Sequence, residues 1–188
     1  MKHRYSAYDL AVCGLMAAVM CVLGPLSIPI GAVPVSFTNF VVCLAVCLLG
    51  WKWGTVSVAV YLLLGLVGLP VFSGYAGGLG KLAGPTGGYL IGFLFLALIG
   101  GFFVQRFRGS YLWTVIGLVL GMAVTYGFGT AWFVYQMECS LWYALTVCVF
   151  PFAAVDVVKI VAAALAGGAV RRQLIKARLM KTDAEQSK

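Results

Sequence analysis

Asp156 and Lys159 stand where this chain tolerates charge least, inside an apolar run over residues 152–170 that holds no other ionisable group. Charge at membrane depth reads as functional. Three positions apart, the two side chains share one face if the run is helical, and together they offer carboxylate acceptors beside an ammonium with three donors. Such a pair suits recognition of a small polar group. A plainer reading, in which the two merely neutralise each other, stays open beside it.

A second unusual stretch, residues 68–89, reads GLPVFSGYAGGLGKLAGPTGGY. Glycine at this density permits turns and close backbone approach to a ligand, while Phe72, Tyr75 and Tyr89 supply flat apolar walls. A loop of this length in a compact protein is usually a lid or binding loop rather than a plain connection. Phosphate-binding readings fail: Lys81 is followed by Leu82 where Ser or Thr is required, and Tyr75 stands where the Walker pattern has Gly. Gly78-x-Gly80-x-x-Ala83 fits a dinucleotide fingerprint only literally, since it falls between two apolar spans.

Other chemistry is poorly supported. The six cysteines form no C-x-x-C, Cys13, Cys21, Cys43, Cys47 and Cys148 lie in apolar segments, and Cys43 and Cys47 are one helical turn apart, so they read as small packing residues. The single histidine, His3, sits in the N-terminal segment. A zinc site and a Ser-His-Asp triad are therefore not expected, and we assign no catalytic residue, metal or cofactor.

The elements that must position these residues follow from composition. Hydrophobic residues make up 63% of the 188 and charged residues 10%, more apolar surface than a soluble domain can hide. At about 20 apolar residues per span, the chain accommodates six transmembrane helices as one membrane domain over residues 1–188. The candidate spans are 8–24, 37–50, 54–69, 87–104, 111–135 and 151–170. The runs lack the alternation of a barrel strand, so the expected class is an all-α integral membrane protein. Pro151 suits the first turn of the last span, placing Asp156 and Lys159 in its outer third; residues 141–150 are too few to cross and read as a short segment at the outer face.

Positive charge sets the orientation. With the N-terminus inside, Lys2, Arg4, Lys52, Arg106, Arg108 and a basic cytoplasmic tail over 171–188 fall on the inner side, and Lys81 alone among the loop cations falls outside. This is an N-in, C-in arrangement with an even number of spans, with the Gly-rich loop between the third and fourth acting as an outer lid. The net charge of +8 is then topological, with attraction to anionic lipid, and points to no nucleic acid. No cleavable signal is expected at the start. The first span carries small residues at Ala7, Ala11, Gly14 and Ala18, a spacing that lets helices approach closely in lipid. It serves either packing within the bundle or docking of another membrane subunit.

The 68–92 segment with its Gly-Leu-Pro-Val-Phe opening and Gly-Pro-Thr-Gly-Gly-Tyr-Leu-Ile-Gly-Phe close, together with Phe150-Pro151-Phe152 and the Asp156-x-x-Lys159 pair, closely resembles the BioY family. The likeness extends over nearly the whole chain, including the turn over 28–38 and Leu49-Gly50-Trp51-Lys52-Trp53-Gly54. BioY proteins are substrate-binding S components of energy-coupling factor (ECF) transporters for biotin. The resemblance implies a six-helix protein of the prokaryotic cytoplasmic membrane that captures biotin from outside, under a lid built from the loops after the first and third spans. It also implies a membrane T component and two ATP-binding-cassette ATPases, with Ala7, Ala11, Gly14 and Ala18 facing the T component. The ligand site it implies centres on Asp156 and Lys159, joined by Phe37, Thr38, Asn39, Phe72, Gly74, Tyr75, Gly77, Gly78, Lys81, Thr86, Gly87 and Tyr89. The chain departs from the family pattern at Asn39-Phe40, where Leu-Gln is expected, and at Lys81, which replaces a typically apolar residue.

Biotin's chemistry is compatible: ionised Asp156 can accept from a ureido N–H while Lys159 donates to the ureido carbonyl, or Lys159 can instead meet the carboxylate. Rival classes are a stand-alone ion-coupled carrier, an S component for a different vitamin, and a membrane enzyme. The carrier would often show paired repeats with broken helices, and no second Asp-x-x-Lys or matching glycine loop occurs in the first half. The enzyme would need a nucleophile or second acid beside Asp156.

Overall fold

In a bilayer every backbone polar group must find its partner within the protein, so long apolar runs become helices. The structure, a computed structural model, describes residues 7–28, 35–107 and 110–177. Among these, seven helices follow in the order α1 (Ala7–Leu23), α2 (Thr38–Leu66), α3 (Leu79–Leu82), α4 (Gly87–Arg106), α5 (Tyr111–Met137), α6 (Leu141–Cys148) and α7 (Phe150–Lys176). Helices α2, α4, α5 and α7 are long and apolar enough to cross a membrane; α1 is apolar but shorter. The all-helical expectation misses one small feature. Between α1 and α2, β1 (Ser27–Ile28) pairs antiparallel with β2 (Val35–Ser36), so the turn region there is closed by a short ladder. Lys2, His3, Arg4, Arg108 and residues 178–188 of the basic tail lie outside the described residues. The earlier part of that tail continues α7 as far as Lys176, with Arg171 buried.

Helix α2 is not one rod. Gly50 has φ 71° and ψ −166°, a conformation open almost only to glycine, and the chain folds back there. A Cβ built on Gly54 would lie 3.3 Å from the Cα of Val46, whereas eight residues of straight helix rise about 12 Å. At the far end, Thr38 donates to the Gly24 carbonyl at 3.3 Å, and a Cβ on the same Gly24 would come within 2.8 Å of the Tyr61 hydroxyl. Residues 38–49 and 51–66 are thus two antiparallel arms. The first arm is the centre of the core, with Val41, Val42, Cys43, Ala45 and Val46 fully buried. Around α2 pack α1, α4 and α7, while α5 lies on α4 and α7.

The Gly-rich connection is docked. Gly65 leaves room for the Phe72 ring, which a Cβ there would overlap, and Phe72 also meets Tyr61 edge-on at 5.6 Å. Tyr61 donates to the Val71 carbonyl at 3.0 Å, and the Gly78 N–H donates to the Gly65 carbonyl at 2.7 Å. Farther along, Trp132 Nε1 and Gln136 Nε2 of α5 donate to the carbonyls of Gly84 and Ala83 at 2.9 and 2.5 Å. The Gly74 N–H reaches the Pro25 carbonyl at 3.1 Å, joining this loop to the turn after α1.

Candidate functional site

Asp156 and Lys159 come together as their spacing requires. Pro151 lies in the first turn of α7, where its missing N–H removes no helix bond, and one and a half turns on the two side chains pair at 3.2 Å. Both are largely buried, with side chains 10% and 13% exposed. The Lys159 ammonium has three acceptors: Asp156 Oδ1, the Ser36 carbonyl at 2.8 Å and Asn39 Oδ1 at 3.3 Å. Its three donors are thereby accounted for. The other carboxylate oxygen, Asp156 Oδ2, accepts from the Tyr126 hydroxyl of α5. Asn39 Oδ1 also accepts from the Phe40 N–H at 2.9 Å, leaving the amide N–H groups of Asn39 for another acceptor.

This cluster forms the polar wall of a cavity that is open at its mouth. Ser36, Asn39, Asp156 and Lys159 make the wall; Leu90, Phe93, Met122 and Phe152 are apolar; Tyr89, Tyr126, Thr125, Thr86, Ser73, Cys148 and Lys81 complete it. Tyr89 is held by its hydroxyl against Thr130 at 3.0 Å and meets Tyr126 edge-on with ring centres 6.5 Å apart. The lining comes from β2 and the start of α2, the 68–86 loop, the start of α4, the middle of α5, the end of α6 and the start of α7. All lie at one end of the bundle. Lys52, Arg106, Arg171, Arg172 and Lys176 belong to the other end, at the α2 turn and the C-terminal ends of α4 and α7.

Of the residues singled out in the sequence, Asn39, Lys81, Thr86, Tyr89, Asp156 and Lys159 line the cavity. The remainder stand outside its lining, and each has a physical reason. Phe72 is fully buried as the plug against Gly65, and Thr38 is fully buried on Gly24. Tyr75, at φ 58°, is 66% exposed at the loop tip, and Phe37 is exposed at the N-cap of α2. Gly74 ties to Pro25, Gly77 sits against the Leu69 carbonyl, Gly78 caps α3 and Gly87 packs on the Leu82 carbonyl. Tyr126, Thr125, Met122, Leu90, Phe93 and Phe152 also line the cavity and were not among the site residues expected from the sequence. For Tyr126 a signal existed: the buried face of α5 runs Gly117, Leu118, Gly121, Met122 and Thr125, and Tyr126 is four residues beyond Met122.

Ala7, Ala11, Gly14 and Ala18 all lie on the exposed side of α1, and a Cβ at Gly14 would have no neighbour within 4 Å among the described residues. Cys13, Met16, Ala17 and Met20 face inward instead.

The family model for the BioY family matches residues 1–176. The chain belongs to the BioY family. Among its family relatives, the biotin transporter BioY of Thermotoga maritima is 38% identical over 152 residues, covering 81% of this chain and 89% of the relative. The biotin transporter BioY2 of Lactococcus lactis is 34% identical over 169 residues, 89% and 92% of the two chains. A crystal structure of the S-component for biotin from an ECF-type ABC transporter superposes with a TM-score of 0.84 at 32% identity, covering 92% of this chain and 95% of that one.

Proposed function

We propose that this protein is the substrate-binding subunit of an ECF-type importer and that its ligand is biotin. The observation that carries the reading is the buried Asp156–Lys159 pair, braced by Tyr126 and Asn39, on the wall of a cavity otherwise lined by apolar and aromatic side chains. That combination suits a ligand with a compact polar ureido head and an apolar fused ring. Asp156 keeps lone pairs beyond those used by Tyr126 and Lys159 and accepts a ureido N–H; the amide N–H groups of Asn39, beside Lys159, donate to the ureido oxygen. Charge-assisted bonds of this kind contribute about 1.5–3 kcal/mol each. The family's biotin transporters supply the substrate and support a carrier of substrate rather than an enzyme.

In the cytoplasmic membrane the protein is multi-pass. We read the two arms of α2 as separate passes, which with α1, α4, α5 and α7 makes six, N-terminus and C-terminus inside. The gathering of Lys52, Arg106, Arg171, Arg172 and Lys176 away from the cavity supports this orientation. The cavity then opens outward beneath the 68–86 loop. Energy comes from partners, a membrane T component docking on the small-residue face of α1 and two ATPases. Calorimetry on the purified chain, in detergent and without partners, tests the ligand. Tight biotin binding with no response to riboflavin or thiamine is expected, whereas silence toward biotin with tight binding of another vitamin would move the protein to a different substrate.

A further inference from the structure

The cavity's charges do not balance. Two ammoniums line it, Lys81 and Lys159, against one carboxylate, Asp156. Lys159 is saturated by Asp156, the Ser36 carbonyl and Asn39. Lys81 has no side-chain hydrogen bond or ion pair among the described residues, and Glu138, a carboxylate of the same end of the bundle, forms no salt bridge with it. A half-buried cavity that holds one uncompensated positive charge favours a ligand carrying one negative charge.

Lys81 is also set in a held piece of backbone. It lies on α3, whose preceding residue Gly78 is tied to Gly65, and the following carbonyls of Ala83 and Gly84 are clipped by Gln136 and Trp132 of α5. The ammonium is therefore presented from a fixed loop on the side of the cavity formed by the 68–86 connection, while Asp156 and Lys159 come from α7.

Resting on the biotin reading above, we infer that Lys81 is the specificity-determining residue for the ligand's carboxylate: the ureido head sits at Asp156, Tyr126 and Asn39, and the acidic tail ends at Lys81. The arrangement divides recognition between two elements, with α7 selecting the head and the loop selecting an anionic tail. Lys159, with its donors already engaged, takes no part in tail recognition.

The test compares biotin with biotinamide, which keeps the ring and loses the negative charge. Both are titrated into the purified full-length protein and into Lys81→Met, Lys81→Arg and Lys159→Met. Unmutated protein should bind biotin about tenfold or more tightly than biotinamide, the discrimination of one charge-assisted contact. Lys81→Met should lose most of that ratio by weakening biotin far more than biotinamide, and Lys81→Arg should restore it. Equal binding of the two ligands by the unmutated protein overturns the assignment of Lys81 and leaves the biotin reading standing. So does a Lys81→Met protein that loses both ligands in parallel, or a ratio that collapses in Lys159→Met but persists in Lys81→Met. Binding of neither ligand by the unmutated protein ends both readings.

Discussion

The start of α7 and the outer side of α1 carry the chain's two most distinctive side-chain patterns, and they are finished to different degrees. Asp156 is buried, Lys159 largely so, and the pair is held from within the chain by α2, α5 and the β2 strand. Ala7, Ala11, Gly14 and Ala18 are exposed, and a Cβ at Gly14 would face open space among the described residues. A polar cluster closed within one chain needs no second protein to work. A stripe of small residues gains only when another helix closes on it, because in lipid it is close packing that drives association. On the function proposed above, the contrast separates ligand capture, which belongs to the chain alone, from energy coupling, which needs partners.

Lys159→Ala is the severest blow to this separation's first half. It leaves Asp156 buried with its ion partner gone, and breaking such a pair costs about 3–5 kcal/mol. Biotin affinity of the purified protein should fall by about 10²–10⁴-fold in calorimetry, at a folded yield judged by size-exclusion chromatography. Unchanged affinity would remove the pair from the site. Leucine at Ala11 or Gly14 probes the second half. Overfilling a close-packed helix contact costs about 1–3 kcal/mol, so uptake of labelled biotin by cells holding the whole transporter should drop about tenfold while affinity in detergent stays at the unmutated level. Weakened binding in detergent, with normal co-purification of partner subunits, would show that the stripe serves the fold of this chain. Tyr126→Phe sharpens the comparison most finely. Removing one hydroxyl from Asp156 should lower biotin affinity about fivefold and leave uptake limited by that loss alone. A loss equal to that of Lys159→Ala would mean that the hydroxyl holds the carboxylate in place rather than sharing its charge.

Much of this was written in the sequence, where apolar length and charge position decide structure. The helices α1, α4, α5 and α7 fall within a few residues of the runs that announce them, and residues 141–150 form the short α6 and its turn instead of a span. Gly50, at the break between two apolar runs, is where α2 reverses. Side-chain destinations inside an apolar bundle were less legible. Phe72 and Tyr126 are both aromatic residues beside glycine-rich text, but one is swallowed by the space at Gly65 and the other reaches a carboxylate thirty residues away. Which aromatic finds a notch and which finds a charge depends on how helices are laid side by side, and that is not encoded locally. Asn39 shows the same limit from the other direction: a departure from the family pattern becomes intelligible once its oxygen is seen on Lys159.

The reversal at Gly50 also bears on how the protein suits different bilayers. The arm over residues 38–49 spans only about 18 Å, well short of the roughly 30 Å of hydrocarbon in a typical membrane. An isolated helix of that length would have to thin the lipid around it. This one offers little surface to lipid: every residue of the arm is buried or half-buried, behind α1, α4 and α7. Hydrophobic matching therefore falls to the surrounding helices, which can tilt, and the short central arm can keep its register with the ligand cavity in membranes of differing thickness.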